Sequence, residues 1–330
     1  MKKFISTIFI VLMSCAIFAN GSQDTTTSTK GNLPPITVHN GNIVSTYTSV
    51  PQKAVVVGYQ SGSIMLALGL ENNIKYLTLL DSKIDEALPE HISILKKMEK
   101  EGKITYIHPK QEAVLAENPD FVLAPQYYFD NGMGTIEEYK KLGIKTYVAN
   151  FYNDKYGKPV NNVEKLYDNI RDIGKIFRVE DRANKLIASL KARVAKASKS
   201  AKNRKTVKIY VHAWGKEKPG TVAGGSVDNN IFPVLGAKNI FSDIKGKTFA
   251  GVSWESVIER NPDVIVIHCF GEPGYGKKAI KYLKSRKELS GISAIKNNKF
   301  LEIPLTYVFL GMQNIDYVEA VGEYLDKNGF

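Results

Sequence analysis

The chain has 330 residues, 43% of them hydrophobic and 24% charged, and carries a formal net charge of +12. That length accommodates two domains with buried cores, and the balance of apolar and charged residues excludes a disordered chain. Only two cysteines, Cys15 and Cys269, occur and no CxxC pair is present, so no disulfide framework or cysteine-based metal motif is available.

Lys2 and Lys3 precede an apolar run from Phe4 to Phe18, which is too short to span a bilayer and is placed like a secretory signal peptide over residues 1–19. No second long apolar stretch follows. The mature protein is therefore expected in the periplasm or at the outer face of the cytoplasmic membrane. Leu12-Met13-Ser14-Cys15 has the form of a lipobox, which predicts lipidation of Cys15; cleavage after Ala19 is the competing reading. Residues 20–49 read as a flexible tether, polar and small at first. Loss of Lys2 and Lys3 lowers the charge from +12 to +10. For an exported chain, that excess suits an anionic ligand or a membrane-facing surface, not nucleic acid.

Residues 50–160 alternate strands and helices. Ala54–Gly58 is a β-branched run ending at glycine, "SGSIMLALGL" a helix, and Ile74–Leu80 and Ile104–Ile107 are strands. Glu112–Glu117 is a short helix ended by Pro119, Phe121–Ala124 a strand, Ile136–Leu142 a helix and Ile144–Val148 a strand. Residues 161–203 carry apolar residues at helical spacing without proline, and read as one long or slightly broken helix. Alternation resumes over 204–330. Strands are predicted at Val207–Val211, Val264–Ile267 and Phe300–Ile303. Helices are predicted at Val227–Leu235, Glu255–Arg260, Lys278–Leu283 and Ile315–Leu325.

The words "AENPDFVLA" (116–124) and "ERNPDVIVI" (258–266) are nearly the same, each with a glutamate six positions before its asparagine: Glu112 and Glu255. The repetition implies two similar lobes, each containing a helix–Asn-Pro-Asp–strand unit. The fold class is therefore α/β: two Rossmann-like lobes with parallel sheets, joined by a long rigid helix. Ligands of open α/β sheets bind beyond the carboxyl ends of the strands, which places a cleft between the lobes.

The ordered set "AVVVG", "QEAVLAENPDFVLAP", "LGIKTYVAN", "VSWESVIERNPDVIVI" and "ISAIKNNKFLEIP" resembles the solute-binding proteins of ABC importers for iron complexes (siderophores and haem) and vitamin B12. The resemblance covers about residues 50–326. It implies capture of an iron complex and delivery to an ABC permease and its ATPase by a monomer that is not an enzyme and holds no permanent cofactor. By position, Glu112 and Glu255 map onto the carboxylates that dock against permease arginines. Without that role, both are first-turn carboxylates favoured by the helix dipole, worth about 0.3–1 kcal/mol.

The strand ends supply the candidate ligand contacts: Tyr59, Gln60, His108, Tyr127 and Tyr128 in the first lobe, and His212, Trp214, His268, Tyr275 and Tyr307 in the second. Imidazole and phenolate are iron donors, and aromatic rings offer flat surfaces to catechol, porphyrin or corrin groups. By likeness to relatives that complete an iron shell, His212 and Tyr275 are expected as the metal-coordinating pair. None of these loops contains an arginine, and Gln313 stands where relatives often carry one, which favours haem, a mixed-donor chelate or a weakly charged complex. Two alternatives are a receptor for cobalamin, or for bare zinc or nickel held by the three strand-end histidines. An adhesin or scaffold of the same fold is the remote one. "GEPGYGKK" (271–278) approaches a P-loop, but Lys278 replaces the required Ser or Thr.

Overall fold

The computed structural model describes residues 34–80, 83–158 and 161–330; the leader, Cys15 and the start of the tether lie outside the described residues. Residues Ile36–Asn40 (β1) and Ile43–Tyr47 (β2) pair antiparallel around Gly41-Asn42. This corrects the tether assignment over 36–47. Val38 and Tyr47 are buried, and the Asn40 amide bonds the Val148 main chain both ways, at 3.0 and 2.8 Å. Gly41 has φ +61°, and a Cβ there would overlap the Tyr156 carbonyl oxygen, so the turn requires glycine.

The first lobe continues with Ala54–Val57 (β3), Tyr59–Ala67 (α1), Ile74–Thr78 (β4), Pro89–Lys100 (α2), Ile104–Thr105 (β5) and Gln111–Ala116 (α3). It ends with Phe121–Ala124 (β6), Gln126–Asp130 (α4), Ile136–Lys141 (α5) and Lys145–Val148 (β7). Its five parallel strands lie in the order β5-β4-β3-β6-β7. Every residue of β3 and β6 is buried, as a parallel sheet covered on both faces requires.

Val163–Ile176 (α6) and Glu180–Ala197 (α7) occupy the connecting segment. The connecting helix is thus the broken form, in two pieces. Arg178 adopts φ +57°, the Val179 N–H bonds the Gly174 carbonyl at 2.8 Å, and the Arg178 N–H bonds that of Lys175 at 3.1 Å. This is a Schellman ending, with arginine at the left-handed position and its guanidinium donating to the Pro34 carbonyl. Gly174 lies against Ala183, leaving no room for a Cβ.

The second lobe comprises Val207–His212 (β8), Gly220–Val222 (β9), Asp228–Val234 (α8), Ala237–Asn239 (β10), Phe249–Gly251 (β11) and Trp254–Arg260 (α9). Val264–Cys269 (β12), Tyr275–Ser285 (α10), Ser293–Lys296 (α11), Phe300–Pro304 (β13) and Gln313–Lys327 (α12) follow. The main sheet is parallel in the order β10-β8-β12-β13; β9 and β11 form a small antiparallel ribbon. One hydrophobic cluster runs through both lobes, joining Val56 and Leu77 to Leu166 and Ile170 of α6, Val211 and Val266 of the second sheet, and Val318 of α12. Each such side chain contributes about 1.5–3 kcal/mol, so the lobes share a core and are not hinged on a bare linker.

The repeated Asn-Pro-Asp words do the same work in each lobe. Asn118 (φ +48°) and Asn261 (φ +42°) turn left-handed at the end of their helices, a conformation asparagine tolerates and the following proline favours over continued helix. The Asp120 carboxylate accepts the Gln52 and Lys53 N–H groups at 2.7 and 2.9 Å, just before β3. Asp263 accepts the Lys208 N–H at 2.8 Å, within β8. Each aspartate therefore ties the start of its own strand to the neighbouring central strand.

Candidate functional site: the carboxyl edges of two sheets

In the first lobe, β5 ends at Thr105, two residues earlier than predicted, and Tyr106, Ile107 and His108 emerge exposed. The His108 ring lies 5.8 Å from Tyr128; Tyr127 stands edge-on to Tyr128 at 5.4 Å and to Tyr152 at 6.1 Å. A polar network holds this strip. Asp130 accepts Gln126 Nε2 at 3.1 Å, the Tyr152 hydroxyl at 3.0 Å and Lys155 Nζ at 2.8 Å. Burial raises the pKa of Asp130, but those three partners outweigh it and hold the carboxyl below its usual range. The Tyr152 phenol is pushed upward by desolvation and by Asp130, so it presents a ring and not a phenolate.

In the second lobe, Trp214 follows β8 with its ring over Gly220, where no Cβ fits, and edge-on to Phe249 at 5.8 Å. Phe270 follows β12 and lies 4.5 Å from Tyr275, the first residue of α10; Phe309 follows β13. Tyr307 is half-buried against the core. Cys269 is free, and desolvation, then Glu302, raises its thiol to about 11, so it is an inert thiol.

The two carboxyl edges meet at a seam. Gly311 abuts Gln60, where an added Cβ would approach Gln60 Cβ to 2.9 Å. The Met312 N–H donates to Ser63 Oγ at 3.3 Å, and Gln313 Nε2 donates to the Glu86 carbonyl at 3.0 Å. Gln313 is buried and ties lobe to lobe.

Three expected contacts lie in the core instead. Tyr59 is 1% exposed, its hydroxyl accepting the Leu88 N–H at 2.8 Å and meeting His91 Nδ1 at 2.9 Å. His212 is 2% exposed, stacked on Trp254 at 5.9 Å and 24°, with Tyr210 Oη 3.4 Å from its Nδ1. Burial and then the charge of His268 push its pKa down to about 4. His268 is fully buried, 3.3 Å from Asp228 Oδ1, which also accepts the Tyr317 hydroxyl at 2.6 Å. The reason is strand length: β8 runs through His212 and β12 through Cys269, so these histidines are paired inside a covered parallel sheet. The expected His212–Tyr275 coordinating pair is therefore not assembled. Among the described residues no three His, Cys, Asp or Glu side chains gather to hold a metal ion, and the three strand-end histidines do not converge.

Glu112 and Glu255 are both exposed in the first turns of α3 and α9. Hydrogen bonds from its own N–H and from Ser253 lower the pKa of Glu255. Beside it opens a cavity of about 720 Å³ lined by Glu217, Lys218, Trp254, Glu255, Ile258 and Arg286. No helix among the described residues is long and apolar enough to cross a membrane. Sequence reasoning named the strand-end tyrosines and Trp214 but missed Tyr106 and Phe309; the apolar run "YVFLGM" after β13 was the available signal.

The chain is 24% identical over 326 residues to YvrC, an uncharacterized ABC transporter substrate-binding lipoprotein of Bacillus subtilis (strain 168), covering 97% of this chain and 95% of the relative. It is 23% identical over 341 residues to the petrobactin-binding protein YclQ of the same organism, covering 99% and 100%. A periplasmic binding protein from Veillonella parvula superposes with a TM-score of 0.74 at 20% identity, covering 88% of this chain and 97% of that one. Residues 54–307 match the periplasmic binding protein family. The chain belongs to the periplasmic binding protein family, whose members carry solutes for transport and are not enzymes.

Proposed function

We propose that the protein captures an iron complex outside the cytoplasmic membrane, between the aromatic carboxyl edges of its two sheets, and delivers it to an ABC importer. One observation carries this reading. Of the eleven large apolar side chains exposed among the described residues, seven (Tyr106, Ile107, Tyr127, Tyr152, Trp214, Phe270 and Phe309) follow the carboxyl end of a parallel strand within five residues. Exposed rings cost hydrophobic free energy unless a ligand covers them, and clefts of this kind are where open α/β sheets bind. Tyr127, Tyr128, His108, Trp214 and Tyr275 are the ligand contacts under this reading, with Gln60 and Tyr307 at the seam. The relative YclQ binds petrobactin, which favours a ferric chelate as cargo; haem is the other iron complex such a ring-lined cleft suits.

Delivery runs through Glu112 and Glu255, which stand on equivalent helices of the two lobes and engage basic residues of the permease. In cells, Glu112→Ala/Glu255→Ala should abolish uptake of the bound complex while leaving its binding unchanged; full uptake by the double variant overturns the docking role. Lipidation of Cys15 anchors the chain, consistent with the lipoprotein description of YvrC. Mass spectrometry of the mature protein should find an acylated Cys15 as its first residue, and an unmodified N-terminus at Asn20 contradicts the anchor.

A further inference from the structure

We infer that the outer face of α10 is a contact surface for anionic phospholipid headgroups, which orients the receptor on the membrane. The inference rests on the docking reading above, because it places α10 beside the docking glutamate. Helix α10 (Tyr275–Ser285) contains four lysines and no carboxylate. Lys277, Lys281 and Lys284 recur at spacings of four and three and so share one face; all three are exposed. With Ile280 and Ser285 they line a cavity of about 480 Å³.

The protein itself neutralises little of this charge. Lys278 pairs with Glu272 at 2.6 Å, and Lys284 Nζ donates to the neutral Asn298 amide at 3.0 Å. Lys277 and Lys281 have no carboxylate partner among the described residues. Lysines on flexible stems around an apolar floor match phosphate headgroups, whose oxygens need point charges and not a fixed fork.

Position supports the same occupant. Arg286 directly follows α10 and closes the cavity that holds Glu255, bonding Glu217 at 3.0 Å across it. A protein whose Glu255 faces a permease therefore brings this end of α10 toward the leaflet around that permease.

The test uses the chain from Asn20 onward, which lacks both the apolar leader and Cys15, so that neither leader nor acyl group tethers it, and sedimentation with vesicles at 0.15 M salt. One vesicle set mixes phosphatidylglycerol with phosphatidylcholine; the other is phosphatidylcholine alone. Each lysine near an anionic leaflet is worth about a fivefold factor. Lys277→Gln/Lys281→Gln/Lys284→Gln should then weaken binding to the anionic vesicles at least roughly fiftyfold. A control of equal charge on the exposed lysines of the other lobe, Lys140→Gln/Lys141→Gln/Lys145→Gln, should lose less than about fivefold. Equal losses in both variants, or no preference for anionic vesicles, would overturn the inference in favour of diffuse net charge. Full competition by glycerol phosphate at matched phosphate concentration would overturn it in favour of a free-anion site. Glu112→Ala/Glu255→Ala should bind vesicles normally, so failure of permease docking registers in uptake and failure of this surface registers in sedimentation.

Discussion

The two lobes repeat one backbone device but treat their histidines oppositely. In each, an Asn-Pro-Asp corner ends a helix, starts a strand and bonds the neighbouring strand through its aspartate. At the carboxyl edges the likeness stops. The first lobe ends β5 early and turns His108 outward with Tyr127 and Tyr128. The second extends β8 and β12 and buries His212 and His268. A residue beside a strand end reaches the surface only if the strand stops before it. One or two residues of strand length decide between an exposed edge and a core.

The comparison breaks most easily at the histidines. His268→Ala removes a fully buried partner of Asp228, whose carboxyl is raised by burial but held low by His268 and by the Tyr317 hydroxyl. We expect a loss of about 3 kcal/mol in urea unfolding, against no more than about 0.5 kcal/mol for exposed His108→Ala; equal losses would mean the lobes do not differ.

His212 sharpens the contrast through pH. Its folded pKa of about 4 lies below the ordinary histidine value, so between about pH 6.5 and 4 the unfolded chain binds a proton that the folded chain does not. Its neutral burial thus contributes stability at neutral pH that is lost as pH falls through that window, by roughly 3 kcal/mol. His212→Phe should flatten that part of the pH–stability curve, and an unchanged curve would show that His212 is not held neutral. The smallest effect concerns what the lobes share. Asp120→Ala loses two bonds to N–H groups and Asp263→Ala one, so costs of about 2 and about 1 kcal/mol are expected at these partly solvated sites. A reversed order would show that the second corner carries more of its sheet than its bonds indicate.

The lobes, the parallel sheets and the corners were legible because β-branched runs, Pro119 and Pro262 constrain the backbone locally. The break between α6 and α7 was not, since Arg178 takes a left-handed conformation usually marked by glycine. The hairpin at 36–47 is signalled by Gly41-Asn42 between two short runs of alternating residues, a two-residue turn pattern, although the polar, small residues before it read as tether. Tyr127 and Trp214 were legible as strand-end aromatics. The burial of His212 and His268 was not, because it depends on strand pairing and on α8, α9 and α12, which close over them; that of Tyr59 was not, because it depends on α2, which brings Leu88 and His91 onto its hydroxyl.

The central claim is that exposed rings of both carboxyl edges, and not buried histidines, hold the cargo. It is tested most directly by visible-absorption titration of the protein with haem and with ferric siderophores of differing charge, beside Tyr127→Ala/Trp214→Ala and His212→Phe. The account predicts saturable binding of one such complex, about 30- to 160-fold weaker in the aromatic double variant at roughly 1–1.5 kcal/mol per ring, and unchanged at neutral pH in His212→Phe. Binding that survives loss of both rings but disappears with His212 would contradict it.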